Sequence, residues 1–281
     1  MQVRKIFAQS LIWIVLLLSA LIPASANAGC YDLPETRALA SASAPGDTRE
    51  VLVLVDQTIS LPPLAQQHLR SEVAKLIKGG TKVGLGTFSA YTGSTFPVLD
   101  LAEYFETDVP KAKEGSLSIR GLRVLRSCLA NSRAAGAKAI LARLSTIVAS
   151  SKPNIGQSDI MSSLKQFGNH LRSTRARDRL VILVSDMLEN STTTSFYDKG
   201  GVKEINVAAE LAKAAKANLL GDLGGAKFYV IGAGLVQDNS KGAARSDAKM
   251  QLLEKFWSNY FSNSKSNLVA FGKPLLLQPI Q

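Results

Sequence analysis

A doubly wound α/β fold is what this sequence predicts: a mostly parallel central sheet with helices on both faces and one antiparallel edge strand. Two continuous apolar runs, Glu50–Asp56 (EVLVLVD) and Asp178–Ser185 (DRLVILVS), read as parallel strands buried on both sides. Stretches of helical periodicity separate them from each other and from weaker strands, the pattern of βαβ units. With 281 residues, 46% hydrophobic and 20% charged, the chain can bury one sizeable core and is too apolar to be disordered.

Taken in order, Arg4 and Lys5 precede an apolar run from Leu11 to Ile22, broken by Pro23 and followed by Ala26-Asn27-Ala28. The run is shorter than the roughly 20 residues that span a bilayer, and small residues stand where a signal peptidase reads. Residues 1–28 are therefore expected to be a secretory signal, with a retained N-terminal anchor as the alternative. The mature chain is expected to be exported, periplasmic or secreted. Residues 29–48 form an N-terminal segment and 49–281 the domain.

Inside the domain, Leu61–Ile77 repeats apolar residues at helical spacing and stops at Gly79-Gly80. Thr81–Ser89 reads as a second strand, and Tyr91–Asp100 as a turn leading into an edge strand. Leu101–Gly115 is mixed and acidic. Leu117–Ser150 reads as helix interrupted near Asn131 and Gly136, so that 91–150 looks like an irregular insertion. A helix over Asp159–Leu171 precedes the second buried strand. A helix over Lys203–Ala217, a strand over Ala226–Ile231, a helix over Ala244–Phe261 and a strand over Asn267–Phe271 complete the alternation.

The two cysteines, Cys30 and Cys128, exclude a disulfide-dense scaffold and a cysteine-built zinc site. Cys30 lies just past the expected cleavage point, but Asn27 replaces the apolar residue usual in a lipoprotein signal. In an oxidising compartment one disulfide is the simpler reading. A lipid anchor on Cys30 and a pair of free thiols are the alternatives.

In doubly wound sheets ligands sit beyond the carboxyl ends of the strands. There the first strand ends in Asp56-Gln57-Thr58-Ile59-Ser60, whose acid and hydroxyls share a side if the chain stays extended. Asp186 follows the fourth strand, and Ser158 heads a predicted helix. Two carboxylates and three hydroxyls without Cys or His suit a hard cation, Mg²⁺ first, with Mn²⁺ or Ca²⁺ in a looser cage. Taken singly, Ser60 and Ser158 also read as helix N-caps, and the two acids as turn residues.

This arrangement resembles the von Willebrand factor type A domain with its metal-ion-dependent adhesion site. That family's pattern is Asp-x-Ser-x-Ser after the first strand, a Thr in a second loop and an Asp after the fourth strand. Asp56, Thr58 and Ser60 match the first element, Ser158 the second and Asp186 the third, with hydroxyl-for-hydroxyl exchanges at 58 and 158. The resemblance spans about Arg49–Gly272. It implies direct contact of the hydroxyls with the metal, acids acting through water, and an acidic side chain of a protein partner completing the shell. It implies recognition without a chemical step, or, if the metal site has degenerated, an assembly component of an envelope or DNA-transfer complex.

Rival readings fit less well. In a haloacid-dehalogenase-type phosphatase Thr58 would stand where the second acid belongs, and a Gly-x-Ser-x-Gly turn is absent. Neither histidine, His68 or His170, follows a strand. Gly232-Ala-Gly234 lacks the full dinucleotide fingerprint and reads as a turn. Lys and Arg total 33 against 22 acids, with basic runs over Arg120–Arg143 and Arg172–Arg179. No aromatic residue interleaves the runs to make a stacking platform, so specific nucleic-acid binding is not expected. A solvated face or contact with an acidic protein or anionic envelope surface is.

Overall fold

The computed structural model describes residues 29–42, 49–89, 98–152, 157–198, 201–235 and 246–281. The expected signal over 1–28 and the turn at 91–97 lie outside them. The elements are β1 (Arg49–Asp56), α1 (Pro63–Leu76), β2 (Thr81–Phe88), β3 (Val98–Phe105), α2 (Ile119–Ala149), α3 (Ile160–Ser173) and β4 (Asp178–Val184). There follow β5 (Tyr197–Asp198), β6 (Gly201–Val202), α4 (Val207–Lys216), β7 (Lys227–Ile231), α5 (Asp247–Asn263) and β8 (Asn267–Phe271). No helix among the described residues is long and apolar enough to cross a membrane.

Six strands form one sheet in the order β3-β2-β1-β4-β7-β8, parallel throughout except for β3, which runs antiparallel to β2 at one edge. This is a doubly wound α/β fold: the order reverses between β1 and β4, the two central strands. Alternation along β1 divides the core. Val51, Val53 and Val55 face α1 and the second half of α2, whereas Leu52 and Leu54 face α3, α4 and α5. On the latter face Trp257, Tyr260 and Phe261 of α5 are fully buried and pack edge-on or tilted against one another.

Two expectations are corrected. The helix expected to break near Asn131 and Gly136 runs unbroken over 31 residues, started by Ser118, whose hydroxyl accepts the Gly121 N–H at 3.0 Å. Gly136 does not end it. A Cβ at that position would lie 2.8 Å from the Phe105 ring, so glycine serves close approach of helix to strand. The mixed, acidic stretch after Asp100 continues β3 to Phe105. Its acids are tolerated because an edge strand has one open flank, and Asp100 meets Arg143 of α2 at 2.7 Å.

The N-terminal segment is anchored on α2. Cys30 and Cys128 are disulfide-bonded with Cα atoms 5.6 Å apart, and Tyr31 and Leu39 pack with Leu125 and Leu129 in a small satellite core. At the other terminus, the Ile280 N–H donates to Glu72 of α1 at 3.0 Å, and Leu276 and Ile280 are buried against the α1 face.

Candidate functional site

Register builds the site. Because β1 and β4 pair in parallel with Val55 opposite Val184, the residues that follow, Asp56 and Ser185, emerge side by side. The chain does not stay extended after Asp56, as the sequence reading assumed. It turns at once, tied by Gln57 N–H to the Phe88 carbonyl at 2.8 Å and by Lys152 N–H to the Gln57 carbonyl at 2.7 Å. The turn folds Thr58 back onto Asp56. Thr58 donates its N–H at 2.9 Å and its hydroxyl at 2.6 Å to Asp56 Oδ1, the Asx geometry of a short acid at a bend.

The second oxygen of Asp56 gathers two more loops. Ser158 Oγ donates to Oδ2 at 3.0 Å and Ser185 Oγ at 2.9 Å. Ser158 is held in place by a pair of backbone bonds with Asn190, at 3.0 and 2.9 Å. Asp186 follows directly. Its Oδ1 accepts the Leu188 N–H at 2.9 Å and its Oδ2 accepts the hydroxyl of Tyr197. Thus Asp56, Thr58, Ser158 and Asp186 come together, all buried. Ser60 does not join them: it is exposed and makes no hydrogen bond among the described residues.

The N-cap readings fail for both serines. Helix α1 is entered through Pro62 without a side-chain cap, and α3 through Asp159, again without one. The start of α3 is instead served by Glu189, whose Oε2 accepts the Met161 N–H at 3.0 Å. The histidines are half-buried braces far from the site: His68 accepts the Leu276 N–H at 3.3 Å, and His170 meets Glu50 at 3.1 Å. The Gly232–Gly234 turn adopts positive φ at both glycines, 104° and 69°, and its Gly234 N–H holds the Asp186 carbonyl at 2.8 Å.

Electrostatically the site is an uncompensated acid pair. No lysine or arginine among the described residues pairs with Asp56 or Asp186. Burial raises Asp56 above the ordinary carboxylate range, although Thr58, Ser185 and Ser158 all donate to it. Burial and then the charge of Asp56 push Asp186 up to about 8, against the pull of Tyr197 and of backbone N–H groups. Burial also raises the Tyr197 phenol, with Asp186 adding to the rise.

The donor set fits a hard divalent cation. The hydroxyls of Thr58 and Ser158 give their protons to Asp56 and so keep lone pairs that a metal could take. No group of three or more His, Cys, Asp or Glu gathers among the described residues, so any cation here would depend on neutral oxygen ligands.

Three participants escaped the sequence reading. Ser185 stood next to Asp186 at the end of a buried strand, and its position was signal enough. Glu189 is a single acid directly after Met187-Leu188, and an acid beside buried apolar residues is itself a signal. Tyr197 lies in an irregular stretch with two-residue strands, where no periodicity points to it.

No protein-family model matches the chain, and no curated protein matches it. Among solved structures it is similar to an aerotolerance-related membrane protein from Bacteroides fragilis at 11% identity and TM-score 0.35, over 80% of this chain and 92% of that one. A second likeness is to the conserved hypothetical protein BatB from Bacteroides thetaiotaomicron, at 11% identity and TM-score 0.33, over 80% and 90% of the two chains. A third is to the pilus adhesin SpaC from Lactobacillus rhamnosus GG, at 15% identity and TM-score 0.37, where 74% of this chain matches 26% of the adhesin.

Proposed function

We propose that this protein is an exported binding module of the von Willebrand factor A type, which recognises a protein partner through a divalent cation and performs no chemical step. One observation carries the reading. Asp56 collects hydroxyls from three separate segments (Thr58, Ser158 and Ser185), and Asp186 is buried beside it, with no lysine or arginine among the described residues to answer either charge. The sheet order with its single antiparallel edge is the one the family resemblance implies and supports the same reading. Thr58 and Ser158 would hold the cation, with Asp56 and Asp186 supplying charge behind them and Ser60 at the exposed rim. The cation, Mg²⁺ or else Mn²⁺ or Ca²⁺, would supply an electrophilic centre for an acidic side chain of the partner.

The contact of Tyr197 with Asp186 favours a second reading, in which the same residues form a closed polar knot without metal and the domain serves as an assembly component of an envelope complex. Isothermal calorimetry separates the two. On the first reading wild-type protein binds Mg²⁺ or Mn²⁺ and Asp56→Asn does not, with both proteins folded by circular dichroism. Absence of binding in the wild type leaves the knot.

A further inference from the structure

We propose that the amino end of the central sheet docks on the anionic headgroups of a lipid bilayer, which turns the candidate cation site at the opposite end away from the membrane. The inference goes beyond the cation-binding reading and shares with it only export. The two basic runs of the sequence fare differently in the fold. In the first, spread along α2, Arg126 meets Glu114 at 2.8 Å, Arg133 meets Asp108 at 2.6 Å and Arg143 meets Asp100 at 2.7 Å, each arginine with an acid of its own. In the second, Arg172 lies in the last turn of α3, and Arg175, Arg177 and Arg179 lead into β4. Here the cations outnumber the acids that meet them.

Asp178 is shared by Arg49 at 2.7 Å and Lys227 at 2.9 Å, and Asp222 is held by Lys265 at 2.8 Å. Arg172 and Arg179 donate to backbone carbonyls, of Asp222 at 2.5 Å and Gly224 at 2.9 Å, which neutralise none of their charge. Arg175 and Arg177 are exposed, and Arg175 makes no hydrogen bond or ion pair among the described residues. Parallel register gathers the group, with Arg179 opposite Glu50 and Lys227 opposite Leu180. The dipole of α3 accounts for a base in its last turn, but not for Arg175 and Arg177 beyond it.

Lipid phosphates are the anions this face fits. Guanidinium groups pair with phosphate oxygens through two parallel bonds. A protein partner would bring an apolar centre to its interface, and none of the large exposed apolar side chains (Leu64, Leu99, Ile119, Val269, Leu277) belongs to this stretch. Strands of seven or eight residues, rising roughly 3.3 Å each, put about 25 Å between this face and Asp56 and Asp186. Charge in physiological salt reaches only about 8 Å. A bilayer can therefore hold the amino end without disturbing the carboxyl end.

Sedimentation of the exported protein with vesicles tests the proposal, in EDTA so that no divalent cation bridges protein to lipid and the cation site plays no part. Binding to mixed phosphatidylglycerol–phosphatidylcholine vesicles at about 0.1 M salt is expected, with none to phosphatidylcholine alone. Arg175→Gln should weaken binding about fivefold, and Arg175→Gln with Arg177→Gln about thirtyfold. Removing the same charge from exposed positions on α2, by Arg120→Gln with Arg123→Gln, should cost less than about threefold. The single variant breaks no bond of the fold, and circular dichroism checks the double ones. Equal losses from the two double variants overturn the docking face and leave net charge as the cause. Equal binding to both kinds of vesicle, or binding to neither, overturns it too. Retention on immobilised polyglutamate that Arg175→Gln abolishes, without vesicle binding, overturns the lipid and assigns the face to an acidic protein.

Discussion

The two ends of the central sheet carry the same kind of residue and treat it in opposite ways. At the amino end of β1 and β4, Asp178 is met by Arg49 at 2.7 Å and Lys227 at 2.9 Å, and Glu50 by Lys82 and His170, each at 3.1 Å. Burial alone would raise these acids, but the bonds to Lys227 and Arg49 hold Asp178 low. Those to His170 and Lys82 help hold Glu50 at about 2. At the carboxyl end Asp56 and Asp186 are buried more completely, meet only hydroxyls and N–H groups, and are raised. Where acids tie strands together, the chain provides the cation. At the carboxyl end it provides a cage of hydroxyl and N–H donors and, among the described residues, no lysine or arginine.

The largest effect that tests this contrast comes from Asp56→Ala. It strands the hydroxyls of Thr58, Ser158 and Ser185 together, while relieving the repulsion with Asp186. Denaturant unfolding is expected to report a net loss of about 2–3 kcal/mol, the lost bonds outweighing the relief. A variant more stable than wild type would mean that the carboxyl end is governed by charge repulsion alone and that its hydroxyl cage contributes nothing to the fold.

The contrast was only half visible before the structure. Buried parallel strands announce themselves as unbroken apolar runs, so β1, β4 and the acids that terminate them could be read directly, and helices pack at predictable spacing between them. Asn131 and Gly136 misled, because a residue that breaks an isolated helix also serves where a helix passes close to an aromatic ring, here Phe105. The cage itself depends on contacts across more than a hundred positions, such as Ser158 and Ser185 on Asp56, which no local pattern encodes. The pairing of charges at the amino end is likewise a product of strand register: Arg49 lies opposite Asp178 and Lys227 near it only because β1, β4 and β7 align.

A middling effect is expected from pH, with opposite sign at the two ends. Glu50 has a folded pKa of about 2, below its unfolded value of about 4.3. Its contribution is present above that unfolded value and is lost as pH falls toward 2. Because Lys82 is itself 41% exposed, the contribution is expected to be about 1–2 kcal/mol, and Glu50→Gln should remove it from the acid limb of a stability profile. Glu189, at the carboxyl end, is pushed up to about 8 by burial, with the charge of Asp159 adding to it and the Met161 N–H and Ser191 opposing it. Its contribution is greatest below about pH 4.3 and declines as pH rises through about 8. Glu189→Gln keeps an acceptor for Met161 and should flatten that decline. Thermal unfolding at pH 3, 5, 7 and 9 measures both. Two variants with slopes of the same sign would erase the distinction between the ends.

The smallest expected effect sharpens the amino end. Lys227 is 47% exposed, and Asp178 keeps Arg49 when the lysine is gone, so Lys227→Ala deletes one of two cations on an acid that water still reaches. Exposed pairs of this kind contribute little, and the loss should be about 0.5 kcal/mol at low ionic strength, shrinking further in 1 M salt as the pair is screened. The carboxyl end offers no such redundancy, because Asp56 and Asp186 each lean on hydroxyl and N–H donors that water does not replace once buried. A loss for Lys227→Ala as large as that for Asp56→Ala, measured in the same denaturant and unchanged by salt, would show the amino-end latch to be as tightly built as the cage. The difference in exposure would then not be what separates the two ends of the sheet.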